Sequence, residues 1–164
     1  MLNNIKIILK NKWFYLLVLL TLAIPSLYEK LPIRIDITQQ QSLSNTLWIS
    51  YSDLNIDTDY ILFIPPKSRY IKDEKVQYLK MIACKEGDLL ESFDSNFYCN
   101  KNFIGTARKY DSNMNIVEQF KFNGIFKIDK YFFAVTHELC YDSKYFGFID
   151  KSQILRKETP LFKD

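Results

Sequence analysis

The chain has 164 residues, room for one domain with its own core plus a short extra segment, but not for two domains. Aromatic residues make up 16% of it, which excludes a disordered chain. Of its 22 basic and 19 acidic residues, five basic ones (Lys6, Lys10, Lys12, Lys30, Arg34) and one acid (Glu29) fall in the first 35, so the remainder is nearly neutral and gives no electrostatic case for nucleic-acid binding.

In chain order, residues 13–28 come first, without a single charge. The run is short for a membrane span, which takes about 20 apolar residues. Lys10, Lys12, Tyr28 and Lys30 flank it as interface anchors. The lysines before it predict a cytoplasmic N-terminus (residues 1–12), a transmembrane anchor (13–28) and an exported body (29–164). Ala23-Ile24-Pro25-Ser26 offers little to a processing enzyme, so the segment reads as an uncleaved anchor, with a cleaved leader and a buried core helix as the rival readings.

The body reads as short strands: 47–51, 60–64, 76–84, 103–107, 124–128, 131–136 and 145–149. Pro65-Pro66, Gly87-Asp88, Asn123-Gly124 and Asp129-Lys130 supply turns between them. A short helix is expected within 67–75. The fold class expected is mostly β, a barrel or sandwich-like domain behind one N-terminal helix. Cys84 and Cys99 each end a strand-like run with a Gly-Asp turn between. They are read as a disulfide in an oxidising compartment, against the alternative of two half-buried thiols. With Cys140 they form no metal-binding spacing, and there is no phosphate loop, so no metal or cofactor is expected.

Few residues offer chemistry. The single histidine, His137, lies in a polar stretch and reads as a surface residue. Lys80 is more informative. In a strand it shares a face with Tyr78 and Ile82, and a lysine on an apolar face loses hydration, which lowers its pKa and fits it to take a proton from a serine hydroxyl. The bland alternative is an edge lysine whose amine reaches water. Serines occur just after the apolar segment, in Ser42-Leu43-Ser44-Asn45-Thr46-Leu47-Trp48.

These pieces, in this order, resemble the signal peptidase I clan (S26), and most of all its TraF-like branch of conjugative pilin-maturing peptidases. Ser42-Leu43-Ser44-Asn45-Thr46-Leu47-Trp48 is similar to the nucleophile block, and Leu79-Lys80-Met81-Ile82-Ala83-Cys84-Lys85-Glu86-Gly87-Asp88 to the lysine block. Phe97-Tyr98-Cys99-Asn100 and Tyr141-Asp142-Ser143-Lys144-Tyr145-Phe146-Gly147 resemble two later blocks.

The resemblance implies Ser42 as nucleophile, Lys80 as general base, and an oxyanion hole from the Ser42 N–H with Gln40. It also implies that Asp142, Lys144 and Cys140 support the site. The implied activity is cleavage of leader peptides at the inner membrane by a periplasmic domain. The partners are a preprotein (a pilin precursor, with cyclisation of the product as a variant) and membrane lipid. The family's usual Pro and Gly are Ser44 and Thr46 here. Gln40, Cys140 and Lys144 stand where a hydroxyl donor, a serine and an arginine are usual. A general signal peptidase and an inactive anchored β-domain serving assembly are the two alternatives.

Overall fold

The computed structural model describes residues 12–38, 43, 47–55, 57–73, 75–127, 129–134 and 140–162. The chain divides into two units with their boundary between Arg34 and Ile35.

The first unit is dominated by helix α1 (Lys12–Glu29). Its 18 residues span about 27 Å at 1.5 Å per residue, which is long and apolar enough to cross a bilayer. None of its side chains is buried within the protein, as expected of a helix whose solvent is lipid rather than a protein core. The helix accommodates Pro25, and Thr21 Oγ1 donates to the Val18 carbonyl one turn back.

The second unit is built on two antiparallel sheets. Strands β1 (Ile33–Ile37, which begins two residues before the boundary), β2 (Leu47–Tyr51), β3 (Tyr60–Phe63), β4 (Tyr78–Cys84), β9 (Lys130–Phe133), β10 (Ile149–Asp150) and β11 (Ile154–Pro160) form a seven-stranded sheet in the order β1-β2-β11-β3-β4-β9-β10. Strands β5 (Leu89–Phe93), β6 (Asn96–Cys99), β7 (Asn102–Thr106) and β8 (Asn123–Ile125) form the second sheet, ordered β7-β6-β5-β8. The mostly β expectation therefore holds. Strand β9 serves two cores because successive side chains point to opposite faces. Phe132 enters a cluster with Cys84, Leu90, Phe97, Cys99 and Phe126, while Phe133 packs with Ile61, Phe63, Ile149 and Ile154.

Three sequence expectations are corrected. Residues 145–149 do not form one strand. Asp142 caps a single helical turn, α2 (Ser143–Phe146), by accepting from the Lys144 N–H, and Gly147 ends it at φ 80°, leaving only Ile149–Asp150 extended. A side chain at 147 would meet the Phe120 ring at 2.8 Å, so glycine is required there twice over. No helix forms in the described part of 67–75. Instead Ser68 Oγ accepts from the N–H groups of Tyr70 and Ile71, a local bond that competes with helix, and Ile71 is buried. The third correction is β11, which was not expected at all. It lies between β2 and β3 in the middle of the large sheet.

Candidate functional site

Cys84 and Cys99 are joined in a disulfide with Cα atoms 5.8 Å apart. The two cysteines are not on one hairpin, since β5 intervenes between the Gly87-Asp88 turn and β6; the bond ties β4 of the large sheet to the small one. The turn beside it is tightly held. Gly87 takes φ 86°, Asp88 accepts from the Lys85 N–H at 2.9 Å and from the Asn100 amide at 2.8 Å, and Asn100 accepts in turn from the Leu89 N–H. The Gly-Asp and Cys-Asn pairs of the sequence are thus one structure, a brace at the end of β4.

Four residues back along β4 from Cys84 is Lys80. It is directly opposite Ile61 of β3, and Ile61 is opposite Lys157 of β11. Residues directly opposite share a face, so Lys80, Ile61 and Lys157 form one row. Ile61 is fully buried and both lysines are 7% exposed. Burial is the main cause lowering the pKa of each lysine. For Lys80, Cys140 and Asp142 oppose that shift and Lys144 adds to it, so all three groups lie within electrostatic reach of its amine. The Lys80 Nζ also sits 5.8 Å from the centre of the Tyr78 ring. Lys157 lies over Tyr131 at 5.6 Å, with Asp57 as its favourable charge.

Behind Lys80 is the α2 turn. Asp142, Ser143 and Lys144 have no exposed surface. Lys144 Nζ donates to Asp142 Oδ2 at 2.7 Å, the Lys144 N–H donates to Asp142 Oδ1 at 3.0 Å, and Ser143 Oγ accepts from the Phe133 N–H at 3.0 Å. A carboxylate buried this deeply holds its charge only with an ion partner and hydrogen bonds, and it has both. The pinning of Ser143 to β9 fixes the turn against the strand beside β4. Cys140, half-buried, remains a thiol. The arrangement can present a poorly hydrated amine, with a lowered proton affinity, at a rigid position.

Of the residues singled out in the sequence, Lys80, Asp142, Lys144 and Cys140 are brought together, and Cys84 and Cys99 are bonded. Ser42, Gln40 and His137 lie outside the described residues, as do Ser44, Asn45 and Thr46. The sequence reading missed Lys157, whose place in the Lys80 row follows from register alone. It also missed a buried group on the opposite face of β11, where Arg156 Nε donates to Ser50 Oγ and Ser50 Oγ donates to Glu158 Oε1, both at 2.6 Å.

No curated protein matches the chain. A family model does, over residues 10–162: signal peptidase, peptidase S26. That match takes in the apolar helix, both sheets and the α2 turn, and with it the chain belongs to the S26 signal peptidases, a family of leader-peptide-cleaving serine peptidases.

Proposed function

We propose that this S26 peptidase is membrane-anchored and works through a Ser42/Lys80 dyad on the leader peptide of a conjugative pilin precursor, in the manner of the TraF-like branch. The observation that carries the reading is Lys80, a lysine 7% exposed on an apolar face, its pKa lowered by burial, beside the buried Asp142–Lys144 pair. An amine so held is uncharged for a larger fraction of the time near neutrality and is a competent base.

In this mechanism Lys80 takes the Ser42 hydroxyl proton as Oγ attacks the scissile carbonyl. The Ser42 N–H, with the Gln40 amide, holds the oxyanion. Lys80 then passes the proton to the leaving amine, and an acyl-enzyme on Ser42 remains. Water resolves it; where the cut leaves the subunit's own new C-terminus as the acyl group, the subunit's N-terminal amine resolves it instead, giving a cyclic subunit. Asp142 and Lys144 position the turn behind the base. The usual arginine is Lys144 here, but it reaches Asp142 directly at 2.7 Å, so this departure does not argue for an inactive domain.

Residues 1–12 are assigned to the cytoplasm, 13–28 to the membrane and 29–164 to the exported domain. Lys6, Lys10 and Lys12 ahead of the apolar run, against Lys30 and Arg34 behind it, support that orientation. In the sequence Ser42 follows the apolar run closely, in keeping with a substrate that is itself membrane-bound.

The test is co-expression with a candidate pilin precursor, with intact-mass measurement of the product. Wild type is expected to shorten the precursor and Ser42→Ala to leave it whole; a product lighter than the hydrolytic one by one water identifies cyclisation. Shortening by Ser42→Ala at the wild-type rate would refute the nucleophile. Processing of a general secretory precursor but not of the pilin would refute the substrate.

A further inference from the structure

Tyr141 and Tyr145 flank the Asp142–Lys144 pair in sequence, yet neither takes part in it. Their rings stack at 5.2 Å, and Tyr141 meets Tyr70 at 4.9 Å. Together with Tyr110, Arg108 and Asp111 these three tyrosines line a cleft of about 220 Å³, room for one large side chain. The proposed mechanism uses none of them. Tyr70 and Tyr110 are 39% and 49% exposed, so the cleft opens to solvent.

A run of neighbouring side chains connects the cleft to the candidate base. Lys80 Nζ lies by the Tyr78 ring, and Tyr78, its hydroxyl pushed up in pKa first by burial, has Tyr141 and Cys140 as its charged-state neighbours. Tyr141 is thus both a neighbour of the Lys80 surroundings and a wall of the cleft. The walls are also braced. The Tyr70 hydroxyl donates to Asp111 at 3.0 Å, and the Arg108 N–H donates to the Tyr145 hydroxyl at 2.9 Å.

Resting on the dyad reading above, we infer that this tyrosine-walled cleft is a substrate subsite that seats a large aromatic or apolar side chain of the precursor, at a fixed distance from the bond that is cut. The alternative occupant of an aromatic cage is a cation. Two observations oppose it here. One face of the Tyr70 ring already carries the Arg69 guanidinium at 4.7 Å, and Arg108 puts a positive charge in the lining itself. The one acid, Asp111, is already engaged by the N–H groups of Asn113 and Asn115, the Asn115 amide and the Tyr70 hydroxyl, which hold its pKa down to about 2. What remains open is ring surface, which favours an apolar or aromatic partner in edge or offset contact.

The experiment uses the full chain in detergent micelles and a mixed library of synthetic peptides, each carrying a small-residue cleavage segment with randomised flanks, read by mass spectrometry. Wild type, Ser42→Ala and Tyr70→Ala are compared; Tyr70 is surface-exposed, and a Tyr70→Phe variant controls for loss of the hydroxyl's bonds to Asp111 and Arg69. The subsite predicts that at one flanking position wild type prefers Phe, Tyr, Trp or Leu over Ala by roughly tenfold. Tyr70→Ala should erase most of that preference and Tyr70→Phe keep it. A wild-type profile flat at every flanking position, enriched in Lys or Arg, or unchanged in Tyr70→Ala overturns the subsite while leaving the dyad intact. Cleavage by Ser42→Ala equal to wild type overturns the dyad reading and the subsite with it.

Discussion

The two sheets bury different things. The four-stranded sheet faces an apolar cluster: Phe97 and Phe132 stack at 5.6 Å, Phe126 and Phe148 meet edge to face at 4.8 Å, and the disulfide closes one side. The seven-stranded sheet buries Lys80, Arg156, Lys157 and Glu158 on its strands and the Asp142–Lys144 pair against it. Aromatic burial is a straightforward source of stability, worth roughly 1.5–3 kcal/mol for each large side chain. Buried charges are seldom so, because desolvation offsets most of the attraction between them. The comparison teaches that the smaller sheet buries an apolar cluster, while the larger one buries, beside its own apolar cluster of Ile61, Phe63, Phe133, Ile149 and Ile154, a set of charged groups as well. An unhydrated lysine is useful to a peptidase and costly to a fold.

Substitutions separate the two halves. The largest effect is expected from Lys80→Met, which should reduce precursor cleavage by roughly 10⁴-fold or more. Removal of a poorly solvated charge should leave the urea midpoint unchanged or raised; a rate loss accompanied by unfolding would instead make Lys80 a structural residue. Next comes Lys144→Met. It strands the Asp142 carboxylate without its ion partner and should cost about 3–5 kcal/mol of unfolding free energy. Phe132→Ala, in the apolar half, should cost a similar 3–5 kcal/mol by cavity formation. The two should differ in pH dependence: the Lys144→Met loss should be relieved as acid protonates Asp142, the Phe132→Ala loss should not. Replacing both Cys84 and Cys99 by Ala opens a loop with a sequence separation of 15 and should cost about 3 kcal/mol. Urea unfolding with and without reductant reads it.

The smallest effect is on stability against pH. Lys80 and Lys157 both have folded pKa values below the ordinary 10.5. Between the folded value and 10.5 the unfolded chain holds protons that the folded chain does not. Stability therefore falls as pH is lowered through that window and levels off beneath it. Lys80→Met and Lys157→Met should each flatten the curve, which melting temperatures across alkaline pH would register.

Much of this was legible in the sequence where side chains carry their own reason for a place. Strands β2, β3 and β4 are β-branched and aromatic, and they formed where expected. Lys80 stood out because its neighbours Tyr78 and Ile82 are apolar. Strand β11 did not stand out, because Ile154-Leu155-Arg156-Lys157-Glu158-Thr159-Pro160 reads as a charged surface segment. Its burial depends on Ser50, Tyr131 and Asp57, each far away in sequence. The α2 turn was misread as strand because Tyr145-Phe146 and Phe148-Ile149 are good strand formers. The Asp142 cap and the positive φ of Gly147 overrode their preference. The tyrosine cleft draws on four separated positions, and only the fold assembles them.

The central claim is that Lys80, its pKa lowered by burial, is the base. The most direct measurement is the rate of precursor cleavage by the wild-type chain in micelles, under single-turnover conditions, from neutral to alkaline pH. The account predicts a rate that climbs with a single ionisation whose midpoint lies below 10.5, since only the neutral amine accepts the serine proton. A flat profile, or a midpoint at or above 10.5, would contradict it.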